Sequence, residues 1–165
     1  MDRSLAEHAD LNQATLYPAI CPIEAANISV GRGTDTPFEV FGAAYLNGER
    51  LAAELNAENI PWMRFVPIEF VPDSHKHQGQ KCGGCYVFTT NRNAMQSVRA
   101  SITIASVIRR LAGEEFNVER CAHLFGTDRQ IEGIVNQDPP EEICAEWEEG
   151  EEAFRALRQE YLLYD

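Results

Sequence analysis

Residues 24–39 (EAANISVGRGTDTPFE) hold the side chains most suited to chemistry, because they place an arginine between two glycines. Gly31 and Gly33 flank Arg32, so the backbone can adopt positive φ twice and can approach a ligand closely. A guanidinium held in this way is suited to bidentate capture of a carboxylate or a phosphate. No Gly-Lys-Ser/Thr follows, so this is not a phosphate-binding P-loop. The motif predicts an anion site or, alternatively, a structural turn in which Arg32 pairs with Asp35.

Other polar side chains of the same segment could hold a ligand beside Arg32. Thr34 and Thr36 supply hydrogen-bond donors and acceptors within a turn. Three carboxylates could orient the arginine or bind sugar hydroxyls. They are Glu24, Asp35 and Glu39.

The polar loop 72–84 and the cysteine after it form a second candidate site. Four of its side chains are possible zinc ligands, namely His75, His77, Cys82 and Cys85. A CxxC pair can place two thiolates on one metal, and two histidines in HxH spacing point to the same side of an extended backbone. A redox pair is disfavoured, because no helix starts behind the second cysteine to lower a thiol pKa. The favoured interpretation is a metal-free loop that faces a ligand through His75 and Gln80.

These segments need a scaffold, and the hydrophobic periodicity predicts one of the α+β class. Helices are predicted at 48–59, 94–111, 127–135 and from residue 138 to about 161. Strands are predicted at 63–71 and 85–90, the first at a sheet edge or with a bulge because it contains Pro67. Short extended pieces are expected at 17–24 and 38–41. The fold class is therefore a small mixed or antiparallel sheet packed with three to four helices, the last one long.

Several details of the helices can also be predicted. The helix predicted at 94–111 should bury a stripe that ends before Gly113, the predicted stop: Met95, Val98, Ile102, Ala105, Ile108 and either Leu111 or Ala112. Thr127 or Asp128 should cap the next helix, and Asp138 the last one, with Pro139 at its first position. The apolar stripe of the last helix is expected in the core, and the alternative is that a protein partner uses this face. It comprises Ile143, Trp147, Phe154, Leu157 and Tyr161.

Composition narrows the choice of partners. The 165 residues suit one domain, and the net charge of −12 argues against nucleic acid or an anionic membrane as the main partner. Two thirds of that charge lies in residues 138–165, where ten acids face two arginines. No apolar run reaches the ~20 residues of a membrane span, and residues 1–10 show no apolar signal-peptide region, which leaves the compartment undetermined.

Five dispersed cysteines favour reduced thiols over a disulfide framework. Three of them have apolar neighbours and are predicted to be small buried hydrophobic residues. They are Cys21, Cys121 and Cys144.

From about residue 12 to the end, the sequence resembles the NamZ/YbbC-like exo-β-N-acetylmuramidases, which remove N-acetylmuramic acid from peptidoglycan fragments. The resemblance rests on 30–39 (VGRGTDTPFE), 79–84 (GQKCGG) and the ending 161–164 (YLLY), with Phe154 and Arg158 before it. Cys85 departs from the family pattern, in which this strand position is usually aliphatic. The CxxC therefore looks accidental in the context of the family.

The resemblance implies that residues 1–165 are a single C-terminal, cleft-forming domain of a two-domain enzyme. Its N-terminal Rossmann-like domain, in cis or as a separate chain, would carry the principal catalytic acids. The resemblance implies no cofactor. The alternative to this hydrolase domain is a stand-alone zinc-stabilised binding module. Glu24 and Asp35 are the weak catalytic candidates. The expected substrate-binding residues, facing a saccharide that contains N-acetylmuramic acid, are Glu24, Asn27, Gly31, Arg32, Gly33, Thr34, Asp35, Thr36, His75 and Gln80.

Overall fold

The computed structural model describes residues 11–163, apart from the side chain at position 149. The predicted lack of a signal peptide in residues 1–10, and Tyr164 of the family-like ending, lie outside the described residues. The α+β class is confirmed. Seven α-helices and one antiparallel sheet of three strands are present among the described residues.

The sheet has the strand order β1-β3-β2, with β1 at Val40–Ala43, β2 at Met63–Phe70 and β3 at Cys82–Thr89. Strand β2 lies at an edge, as Pro67 predicts, and its register against β3 runs without a bulge. Strand β3 starts three residues before the predicted strand and includes Gly83 and Gly84. A Cβ at Gly84 would lie 2.1 Å from the carbonyl oxygen of Phe41 in β1, so the strands approach too closely there for a side chain.

The helices predicted at 48–59, 94–111 and 127–135 are all present. They are α2 (Gly48–Ala57), α3 (Ser97–Ala112) and α5 (Asp128–Asn136). Thr127 caps α5 by accepting a hydrogen bond of 3.1 Å from the backbone N–H of Arg129, and Gly113 ends α3 with φ +59°. The predicted stripe of α3 is buried at Ile102, Ala105 and Ile108, which form part of the core.

Val98, the second position of that stripe, is exposed, so the stripe is wrong at this end. The helix begins at Ser97, and Val98 lies on the solvent side of its first turn, whereas Ala100 in the same turn is buried. Helix α3 packs against α1 (Leu11–Ile20).

Helix α1 replaces the extended conformation that was predicted for 17–24. Pro18 removes one backbone hydrogen bond inside this helix, which is why the sequence favours an extended chain. However, Leu16, Ala19 and Ile20 are completely buried, and α1 packs on α3. Burial of three apolar side chains therefore outweighs the local cost of the proline.

The single long C-terminal helix is also wrong. The chain forms α6 (Pro140–Ala145) and α7 (Glu148–Arg158), which are interrupted at residues 146–147 and not at Gly150. The N-cap residue of α6 is Pro139 and not Asp138, which was predicted for this position. The reason is that Asp138 belongs to the end of α5, where its backbone N–H donates to the Gly133 carbonyl oxygen.

Only the first part of the predicted C-terminal apolar stripe reaches the core, where Ile143 is buried and Trp147 is half-buried. Phe154, Leu157 and Tyr161 are 61%, 60% and 74% exposed, so their predicted place in the core is wrong. The physical reason is that α7 is joined to the body of the domain at its first residue, Glu148, which binds Arg99 of α3, and that beyond this residue it packs mainly against the short turn that follows it. No helix in the described part of the chain has the length and apolarity needed to cross a bilayer.

Candidate functional site

The glycine-framed turn has the backbone conformation predicted for it. Gly31 and Gly33 have φ of +80° and +79°. A Cβ at Gly31 would lie 2.7 Å from the carbonyl oxygen of Thr36, and one at Gly33 would lie 2.6 Å from the backbone nitrogen of Ser74. At both positions the close approach that requires glycine is to other backbone. The Gly33 carbonyl oxygen accepts a 2.8 Å hydrogen bond from the N–H of Asp73, which joins the turn to loop 72–84.

Arg32 pairs with Glu24 and not with Asp35. Its Nε donates to Oε1 of Glu24, its Nη2 lies 3.4 Å from Oε2, and the guanidinium carbon lies 5.0 Å from the ring centroid of Phe38. Asp35 is exposed. The local turn pairing that the sequence left open is therefore wrong, whereas a carboxylate does orient the arginine.

A pocket of about 230 Å³ opens beside this ion pair. It is lined by residues from the turn, from the segment before the turn and from loop 72–84. They are Glu24, Ile28, Ser29, Val30, Arg32, His75 and Lys76. The structure thus brings together three of the predicted site residues, Glu24, Arg32 and His75, from positions separated by about fifty residues of chain.

Lys76 is a pocket residue that the sequence reasoning missed. Its Nζ donates to the backbone carbonyl oxygen of Glu24, and burial lowers the pKa of its ammonium group. No carboxylate of residues 11–163 lies within 4.0 Å of this ammonium group. The available signal was its position between His75 and His77, in the loop that was predicted to face a ligand.

The remaining predicted site residues do not line the pocket. The Asn27 side chain donates to the carbonyl oxygen of Glu115 at 2.8 Å and accepts from the N–H of Asn117 at 3.0 Å, so it connects distant segments of the domain. Thr34 donates to the Gly31 carbonyl oxygen at 2.7 Å and accepts from the N–H of Thr36 at 3.1 Å. Both side chains therefore stabilise the walls of the site. Asp35 and Gln80 are exposed outside the pocket.

Glu39 is the buried carboxylate of the segment. It accepts hydrogen bonds from the Asn12 side chain at 2.9 Å and from the Tyr86 hydroxyl. These contacts connect α1 to β3. Glu39 therefore orients neither Arg32 nor a ligand in the pocket.

The four residues of the zinc alternative do not come together. Cys82 and Cys85 are three residues apart on β3, so their side chains point to opposite faces of the sheet. A ring nitrogen of His77 lies 2.9 Å from the carbonyl oxygen of Asn27. Within residues 11–163, no group of three or more His, Cys, Asp or Glu side chains could hold a metal ion.

Thiol accessibility is a direct test of this arrangement. Burial raises the pKa of Cys85 to about 12 and those of Cys121 and Cys144 to about 11, and Cys82 is also buried with a raised pKa. Since the thiolate is the reactive form, we expect a disulfide reagent at pH 8 to label only Cys21, which is half-buried, in the folded chain. In urea, all five should react.

The control for this labelling is Cys21→Ser, which should abolish the labelling of the folded chain. Rapid reaction of Cys82 and Cys85 in the native chain, or their protection by a metal that a chelator removes, would contradict the structure.

Two solved structures share this fold. A DUF1343 family protein of Bacteroides fragilis NCTC 9343 superimposes with a TM-score of 0.82 and 22% identity, over 92% of this chain and 42% of that one. A second protein of the same family and organism gives a TM-score of 0.66 and 24% identity, over 94% and 42%. These likenesses show the fold.

The sequence comparisons then show the family. The sequence model for the C-terminal domain of the exo-β-N-acetylmuramidase NamZ matches residues 15–164, and the chain belongs to this family. It is 32% identical over 152 residues to the peptidoglycan β-N-acetylmuramidase NamZ of Bacillus subtilis (strain 168). That match covers 90% of this chain and 37% of the relative, so the chain spans well under half of the curated relative's length.

Proposed function

We propose that this domain forms one wall of the substrate cleft of an exo-acting peptidoglycan N-acetylmuramidase, and that its pocket binds the lactyl carboxylate of N-acetylmuramic acid. The observation that carries the proposal is the charge balance of the pocket. Among the described residues that line the pocket, there are two cations, Arg32 and Lys76, and one carboxylate, that of Glu24. The described lining therefore has one positive charge in excess, which favours an anionic sugar over a neutral one.

The two cations have different roles in this proposal. Arg32 is held by Glu24 and by the ring of Phe38, so it fixes the shape of the pocket and places a positive charge in its wall. Lys76 has a flexible stem and no carboxylate partner among the described residues, so its ammonium group is the one that a sugar carboxylate can approach as a point charge.

Hydrolysis by the domain alone is not proposed. Glycoside hydrolysis normally requires two carboxylates, or one carboxylate with assistance from the substrate. Among residues 11–163, Glu24 is the one carboxylate that lines the pocket, it is paired with Arg32, and Asp35 lies outside. The principal catalytic acids are therefore assigned to the preceding Rossmann-like domain, whether it is in cis or on a separate chain. This domain contributes recognition of the saccharide.

Replacement of Lys76 tests the charge-recognition step. A hydrogen bond to a charged group contributes about 1.5–3 kcal/mol, so Lys76→Met should weaken binding of N-acetylmuramic acid ~10–100-fold. Isothermal titration calorimetry of the chain measures this change. N-acetylglucosamine, which lacks the lactyl carboxylate, should bind weakly to both proteins.

The matched control is Lys81→Met. Lys81 lies in the same loop, but it is exposed and pairs with Glu69 at 2.9 Å outside the pocket. Its replacement should leave the affinity unchanged. Equal losses at both lysines, or no loss at Lys76, would overturn the assignment of the pocket.

A further inference from the structure

The C-terminal helix α7 carries an apolar surface that nothing in the described chain covers. Phe154, Leu157 and Tyr161 are spaced by three and four residues, so they lie on one side of the helix and of the turn that follows it. We call these three residues the α7 apolar face. Leu162 and Leu163, just beyond it, are also exposed. Contiguous exposure of this kind marks an interaction site more often than an isolated surface leucine does.

The base of α7 is fixed to the body of the domain, although the helix itself is not packed on it. Glu148 accepts a 3.0 Å hydrogen bond from Arg99 of α3, and the same guanidinium lies 5.8 Å from the ring centroid of Trp147. The helix is thus held where it leaves the domain and presents its apolar face beyond it. An isolated helix of eleven residues is marginal in water, so burial of that face is needed for its full stability.

The charge around the α7 apolar face limits the choice of occupant. Residues 138–165 contain ten acids and two arginines. Two copies of this chain docked through α7 would place two strongly negative segments side by side, which opposes a symmetric dimer. The face instead suits a partner with an apolar centre and a basic rim.

The B. subtilis relative is longer than this chain, and the additional part of its sequence is the candidate partner. The family match extends to residue 164, so α7 belongs to the family's C-terminal domain and is not an appended tail. Yet the chain corresponds to only 37% of the B. subtilis relative. We infer that the α7 apolar face docks on the N-terminal domain of the muramidase and fixes the two walls of the cleft relative to each other. This inference uses the two-domain arrangement of the proposed function but not the ligand of the pocket.

Photo-crosslinking in the native protein tests the inference. Phe154→p-benzoylphenylalanine is introduced at the natural gene, in the cells that express it, and crosslinked peptides are identified by mass spectrometry. We expect peptides from the N-terminal domain of the muramidase, in the same chain or in a separate one. Glu152→p-benzoylphenylalanine, on the opposite side of α7, is the control and should lose this product. Crosslinks to a second copy of residues 11–163, to an unrelated protein, or to nothing would overturn the inference.

A second measurement separates docking from folding and from the pocket. Leu157→Glu should leave the thermal midpoint and the sugar affinity of the 165-residue chain unchanged, because Leu157 contacts neither core nor pocket. In light scattering, the wild-type chain should be a monomer. A wild-type dimer that Leu157→Glu dissociates would instead assign the face to self-association.

Discussion

Gly33→Ala is expected to lower the free energy of unfolding by about 3 kcal/mol, as the sum of a backbone cost and a steric cost. The φ of +79° disfavours any residue with a side chain. In addition, the new methyl group would lie 2.6 Å from both the backbone nitrogen and the backbone oxygen of Ser74, which cannot move away as a flexible side chain would. Urea unfolding followed by circular dichroism measures the change.

Gly79→Ala is the matched control, because it separates the two costs. Gly79 lies in the neighbouring loop with φ of +69°, but a Cβ there would have no heavy atom within 4 Å. Its substitution should therefore cost only the backbone part, about 1 kcal/mol. If the two alanine variants were equally stable, the close approach of the turn to loop 72–84 would be wrong. The pocket formed between them would then be wrong as well.

Arg32→Ala should have the second large effect, both on stability and on the activity of the complete enzyme. The side chains of Arg32 and Glu24 are only 18% and 26% exposed, so the pair lies between a surface pair and a fully buried one. Removing the arginine leaves the Glu24 carboxylate without its partner, which should cost about 1–3 kcal/mol of stability. In the two-domain enzyme, kcat/KM should fall ~10–100-fold, since the wall of the pocket is lost together with a positive charge for the anionic sugar.

A double-mutant cycle with Glu24→Gln isolates the pair from the other contacts of each residue. We expect coupling between Glu24 and Arg32 of about 1–2 kcal/mol in unfolding experiments. The comparison pair is Glu69 and Lys81, which are 67% and 68% exposed and should show coupling of less than about 1 kcal/mol. Unchanged kinetics in Arg32→Ala, or coupling no greater than in the exposed pair, would contradict the role given to Arg32.

Local sequence signals predicted much of the scaffold. The helices α2, α3 and α5 follow from apolar spacing. Thr127 caps the start of α5 and Gly113 ends α3, as predicted. Positive φ at both glycines of the turn was likewise readable, because glycine adopts it at low cost. The edge position of β2 followed from a single proline. In each case the deciding interactions lie within a few residues of one another.

The predictions that failed depend on residues far apart in the chain. Helix α1 forms because it packs on α3. The local effect of Pro18 favours an extended chain, so the sequence of this segment alone does not predict the helix. Lys76 enters the site because contacts between Asp73 and Gly33 and between His77 and Asn27 hold loop 72–84 against the segment around the turn. The apolar spacing of α7 was read correctly as amphipathic, but spacing alone does not distinguish a face in the core from a face that needs a partner.

The central claim, that the pocket beside Arg32 binds an anionic peptidoglycan sugar, is tested most directly by a nuclear magnetic resonance titration. The ¹⁵N-labelled chain is titrated with a disaccharide that has N-acetylmuramic acid at its non-reducing end. The largest amide shifts should fall in the pocket lining, at Ser29, Arg32, His75 and Lys76, and N-acetylglucosamine oligomers should not produce them. Shifts confined to other surfaces, or identical shifts with the neutral oligomers, would contradict the claim.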